Sequence, residues 1–86
     1  MDFEWDDGNI DHIANHDVEP FEAEEAITDP RRVPFPAHSG NIGFIGKTED
    51  GRYLVVISQR KGKSLWRVAT ARDAKPGEKK SYRRNR

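Results

Sequence analysis

The chain has 86 residues, 34% of them hydrophobic and 35% charged. That length allows one domain with a thin core, because so short a chain buries only roughly 60–65% of the surface it exposes when unfolded. No apolar run approaches the roughly 18 residues of a membrane span, and the acidic opening is unlike a basic secretory leader. The absence of cysteine removes disulfides and thiolate metal sites and fits a reducing cytoplasm, the expected location. Fifteen Lys and Arg balance fifteen Asp and Glu, but their placement is lopsided. Residues 1–30 hold eleven acids and no Lys or Arg, whereas residues 51–86 hold twelve Lys and Arg and two acids. A cluster of that sign attracts polyanions, RNA or DNA first among them. Two blander readings stay open: the acidic half folds against the basic half, or the basic tail is a solvated run.

In chain order, Asp2 to Trp5 alternate and predict a short strand with Phe3 and Trp5 on one face. Asp6 can cap a helix over about 7–16, its carboxylate accepting first-turn amides, with Ile10, Ile13 and Ala14 as the apolar stripe. Pro20 suits the first position of a second helix, which carries Phe21, Ala23, Ala26 and Ile27 and stops at Asp29-Pro30. Residues 31–40, with Pro34, Pro36 and Gly40, read as an extended edge or loop. Three strands follow, Ile42 to Lys47, Arg52 to Gln59 and Ser64 to Arg72, joined by turns at Glu49-Asp50-Gly51 and Lys61-Gly62-Lys63. Tyr53 to Ile57 is apolar on both faces, as in a central strand. Strict alternation along the last strand places Trp66, Val68, Thr70 and Arg72 on one face and Leu65, Arg67, Ala69 and Ala71 on the other. Pro76 could open a closing helix, weakened by Gly77. The expected fold is α+β: a small antiparallel sheet of about four strands, two N-terminal helices packed on it and a short closing helix, in the order β-α-α-β-β-β-α. Residues 1–75 would form the domain and 76–86 a basic helix or tail.

Several residues could carry chemistry. His12 and His16 share a helix face and could hold zinc with His38, but no Glu stands between them as in a zinc-protease helix, and neither metal nor cofactor is expected. The arginines say more. Metal-free RNA cleavage needs a group to take the 2′-hydroxyl proton, a group to offset charge on the phosphorane and a group to protonate the leaving oxygen. Histidine can do the first or third, and arginine the second, because its planar fork meets phosphate oxygens in pairs. Arg52, Arg67 and Arg72 lie on strands expected to be neighbours, although Arg67 and Arg72 point to opposite faces unless a bulge intervenes. Each could equally pair with an N-terminal acid. Trp66 is expected in the core. Tyr53 could stack a base, and Lys79, Lys80, Arg83 and Arg84 around Tyr82 form a phosphate-binding stripe or a solvated helix end.

Phe3-Glu4-Trp5-Asp6, Asn9, His12-Ile13, His16 and Val18, then Ile45-Gly46, Gly51-Arg52-Tyr53-Leu54-Val55-Val56, Arg67, Ala71-Arg72-Asp73-Ala74, Glu78 and Tyr82 occur in that order over nearly the whole chain. This series resembles the BrnT family of bacterial toxins. The resemblance implies a RelE-like fold, a ribonuclease that halts translation, and a cognate antitoxin with a ribbon-helix-helix part that blocks the toxin. Operator DNA would be met only through the antitoxin complex. It picks out His16, Arg52, Arg67, Arg72 and Tyr82. We assign Arg67 and Arg72 to phosphate and phosphorane, His16 or Tyr82 to proton transfer, and Arg52, Lys79, Lys80, Arg83 and Arg84 to RNA binding. Three positions depart from the family pattern: Asp17 where glycine is usual, Asn41 where many relatives are basic, and Lys75 in place of a hydroxyl cap before Glu78. The alternative is an RNA- or antitoxin-binding module of the same fold without catalysis. Nuclease chemistry requires the late arginines to converge; guanidinium groups splayed apart, each clasped by carboxylates of the first thirty residues, would rule it out.

Overall fold

A computed structural model describes residues 1–85. The elements are β1 (Asp2–Glu4), α1 (Asp7–Ala14), α2 (Pro20–Ile27), β2 (Val33–Pro36), a single 3-10 turn (His38–Gly40), β3 (Ile42–Lys47), β4 (Tyr53–Arg60), β5 (Leu65–Asp73) and α3 (Pro76–Arg84). The fold is α+β with three helices and a five-stranded mixed sheet in the order β1-β5-β4-β3-β2. Two features correct the expectation of about four antiparallel strands. Residues expected as edge or loop supply β2, paired with β3 through Val33↔Ile45 and Phe35↔Gly43. Pro34 and Pro36 lack N–H groups, so this pairing relies on Val33 and Phe35, and the outer rim of β2 is poor in donors. The second is β1, which runs parallel to β5, with Phe3 opposite Trp66 and Glu4 opposite Arg67. Among the described residues, no helix is long and apolar enough to cross a membrane.

The sheet has two differently dressed faces. On one, α1 and α2 bury Ile13, Val18, Ala23, Ala26 and Ile27 against Phe44, Leu54, Val56, Trp66, Val68 and Ala71. Trp66 is core, as expected, and its ring meets Phe44 edge-on at 5.8 Å. Here α2 comes so close to β3 that a Cβ on Gly46 would stand 1.9 Å from the Ala26 carbonyl oxygen, which restricts the position to glycine. On the other face α3 lays Tyr82 over Ile45 and Val55, with Val33, Phe35, Tyr53 and Ile57 half-buried beside them. The closing helix therefore forms and docks. Its start relies on Glu78, whose carboxylate accepts the Lys75 amide at 2.7 Å. An ammonium has no acceptor to complete a reciprocal cap.

Asn9 fastens α1 to the sheet. Its Oδ1 accepts the Asp6 amide at 2.8 Å, and its Nδ2 donates to the Glu4 and Val68 carbonyls at 3.0 and 3.1 Å. The β1 ladder ends at Glu4, so the Asn9 amide takes over where the strand stops. We expect Asn9→Ala, which strands both carbonyls, to lower stability by about 2–3 kcal/mol in urea unfolding. After α1 the chain turns through Asp17 at φ 57°, the left-handed region that favours glycine, and its carboxylate lies at the negative end of the helix dipole. Asp17→Gly should stabilise by about 0.5–1 kcal/mol and raise the melting temperature by about 3–6 °C.

Candidate nucleic-acid interface

A register shift between Ile57 and Ser58 of β4 decides which side chains share a face. Ile57 pairs with Thr70 and Ser58 with Val68, leaving Ala69 as an extra residue in β5. A bulge resets the alternation. Trp66 and Val68 before it, and Ala71 after it, face α1 and α2. Leu65 and Arg67 before it, and Thr70 and Arg72 after it, face the α3 side. Strict alternation along β5 is thus corrected: Arg67 and Arg72 share a face. Their β4 partners, Gln59 and Val55, are four residues apart, which sets the two strand positions about 13 Å apart.

The guanidinium groups do not converge. Arg67 Nη1 donates to Glu4 at 3.2 Å and to Asp6 at 2.7 Å, and Nη2 donates to Asp6 at 3.1 Å. Arg67, with the Asn9 amide, holds the Asp6 carboxyl down at about 2. Arg72 makes a bidentate pair with Glu78, both bonds 2.8 Å, and also donates to the Asp73 carbonyl. Arg52 points to the other side of the sheet. It spends four of its five donors on Asp73, Glu22 and the carbonyls of His16 and Asp17, acting as a cation at the carbonyl end of α1. Two of the three arginines, Arg52 and Arg67, are therefore clasped by carboxylates of the first thirty residues. The partner of Arg72 comes from α3.

The other candidates lie apart. His16 is exposed in the turn after α1, on the opposite side of the sheet from Arg67 and Arg72, with its ring 6.0 Å from that of His12. His38 sits in the 3-10 turn, bonded to the Ser39 hydroxyl at 2.9 Å. No group of three His, Cys, Asp or Glu placed to hold a metal ion occurs among the described residues. Tyr82 is buried and donates to Asp29 Oδ2 at 2.5 Å. Burial, and then the bond to Asp29, push its hydroxyl up to about 12, so it keeps its proton at neutral pH. Burial works to raise the Asp29 carboxyl, but the Tyr82 hydroxyl and the amides of Arg31 and Lys47 outweigh it and hold the group below its usual range.

The charge layout is sharper than the sequence dipole. Most of the early acids lie on or around α1 and α2, on one side of the sheet, while α3 carries Lys79, Lys80, Arg83 and Arg84 on the other. None of these four is in an ion pair among the described residues, where the pairs involve only Arg52, Arg67 and Arg72. Arg31 and Lys47 add to the same side next to Tyr82 and Arg83, and sequence reading missed both. Lys47 was nonetheless accessible to it, since the turn at 49–51 sets Lys47 opposite Tyr53. Arg31 carried no such signal. Arg86, the last base of the 76–86 segment, lies outside the described residues. No protein-family model matches the chain, and no curated protein matches its sequence.

The Arg72–Glu78 pair has a pH signature. Arg72, followed by the Lys75 amide, overcomes burial and lowers Glu78 from 4.5 to about 2. A carboxyl depressed on folding stabilises the fold above its unfolded pKa, and that contribution is lost as pH falls through the folded value. Stability should decline between about pH 4.5 and 2, and Glu78→Gln should flatten that limb in acid-induced unfolding followed by circular dichroism, modestly because the pair is partly solvated.

Proposed function

We propose that this protein is an RNA-directed toxin of the BrnT kind: a RelE-like scaffold that binds RNA on the α3 side of its sheet and cleaves it without metal, halting translation in the cytoplasm. A ribbon-helix-helix antitoxin would cover the same basic side with an acidic, foldable segment. The observation that carries this reading is the sidedness of charge. Lys79, Lys80, Arg83 and Arg84, in no ion pair among the described residues, share one side of the sheet with Arg67 and Arg72, which Glu4, Asp6 and Glu78 clasp, and the bodies of α1 and α2 take the other. RNA can thus approach α3 without meeting α1 or α2. For cleavage, Arg67 and Arg72 exchange carboxylate for phosphate oxygens as RNA binds. Both pairings are open to solvent, with the Arg67 and Arg72 side chains 26% and 36% exposed, so the exchange needs no unfolding.

A second reading, a binding module of the same fold without catalysis, is favoured by the clasped state of Arg52 and Arg67 and by the separation of His16 from the arginine face. A phosphodiester site assembled in advance would hold its cations free and its proton carrier close. The two readings part on one experiment. Purified protein should cut bulk RNA in EDTA, and Arg67→Ala or Arg72→Ala should slow cleavage at least tenfold, about 1.4 kcal/mol of barrier. Binding of RNA without cleavage, together with normal growth of cells expressing the protein, would leave the binding module in place of the enzyme.

A further inference from the structure

Between the last turn of α3 and the end of β3 lies a cavity of about 150 Å³ lined by Arg31, Lys47, Tyr53, Tyr82, Arg83 and Asn85. Neither Arg67 nor Arg72 reaches it. Three cations meet here from separate parts of the chain: the segment after α2, the end of β3 and the end of α3. None of the three is in an ion pair among the described residues. A fourth, Lys79, stands 5.8 Å from the centre of the Tyr53 ring, and Lys47 stands 5.4 Å from it. The nearby acid, Asp29, offsets part of this charge through its attraction to Arg31 but makes no ion pair with any of these heads among the described residues. Asp29 Oδ2 is occupied by the Tyr82 hydroxyl and the Lys47 amide, and Oδ1 by the Arg31 amide, so it binds backbone and phenol rather than the cationic heads.

Like charges gathered round a concavity focus a positive potential that an anion relieves. Two guanidinium forks and an ammonium suit the oxygens of a phosphate. The volume equals about five water molecules in the liquid, room for a phosphate group and the start of an attached sugar. Tyr53 and Tyr82 meet edge-on at 5.4 Å and give the cavity a firm wall. We infer that this cavity is a phosphate-binding site formed by Arg31, Lys47 and Arg83, taking either free phosphate or the phosphate of a nucleotide unit. It needs neither cleavage nor an antitoxin. Only RNA as the source of the phosphate rests on the function proposed above.

The test titrates inorganic phosphate into the full chain at constant ionic strength and follows the backbone amides of residues 31, 47 and 83 by NMR. Saturable shifts confined to that neighbourhood are expected. The double variant Arg31→Gln/Arg83→Gln should bind phosphate at least tenfold more weakly, and Lys47→Gln should show a loss through a different element. Lys61→Gln/Lys63→Gln, which removes equal charge from the distant β4–β5 turn, should bind as the parent does. Absence of saturation in the parent protein, or equal binding by both double variants, overturns the site. A second arm measures single-stranded RNA affinity against salt. A slope shallower by about 1.4 in Arg31→Gln/Arg83→Gln, for two lost phosphate contacts, assigns the site to RNA. An unchanged slope with weakened phosphate binding assigns it to free phosphate or a mononucleotide. Phosphate saturation in a chain that binds no RNA keeps the site and removes the toxin reading.

Discussion

The carboxamide of Asn9 is the joint on which this small fold hangs. Buried and fully bonded, it donates to carbonyls of β1 and β5 and accepts the Asp6 amide that begins α1. Only an amide meets all three demands, because it offers two hydrogens and a lone pair in one plane. With the joint made, β1 can be three residues long and still hold its register against β5. The same joint brings Glu4 and Asp6 against Arg67. The clasp on that arginine is thus a consequence of how the N terminus is tied down.

The sheet then acts as a partition between charges. Acidic helices cover one face, and a basic helix covers part of the other. The arginines that meet acids do so where the layers come within reach: Arg52 at the end of α1, Arg67 beside β1 and Arg72 at the start of α3. The acidic half does fold against the basic half at the first two seams. It does not do so for α3, whose lysines and arginines stay on the far side of the sheet. A protein of zero formal charge thereby presents two surfaces of opposite sign. The three seam arginines also serve the fold. Arg52 ties the ends of α1, α2 and β5 together, so any RNA contact it made would compete with four internal bonds.

Much of this was legible in the residues. Alternation, helical spacing, Pro20, the Asp6 cap, the Asp50-Gly51 turn and the placement of Trp66 in the core are local signals, and local signals survive without knowledge of the fold. The possibility that β5 is bulged was legible too, but its occurrence was not. An extra residue such as Ala69 is set by how two strands register over their whole length. The strand at Val33–Pro36 was legible only as an extended edge or loop, because its prolines argue against a strand unless one edge is left unpaired.

By itself, then, the sequence determined the first two helices, the β3 to β5 meander, the absence of thiol chemistry and the split of charge along the chain. Each depends on neighbours within a turn or a hairpin, or on composition alone. Only the tertiary structure decided that β1 lies parallel to β5, that Arg67 and Arg72 share a face yet hold separate carboxylates, and that Arg31 and Lys47 join Arg83 around one cavity. Apart from the Arg72–Glu78 pair, which spans six positions, those outcomes link residues far apart in the chain. Their energies depend on the distances between charges and on sheet register, which a linear pattern does not encode.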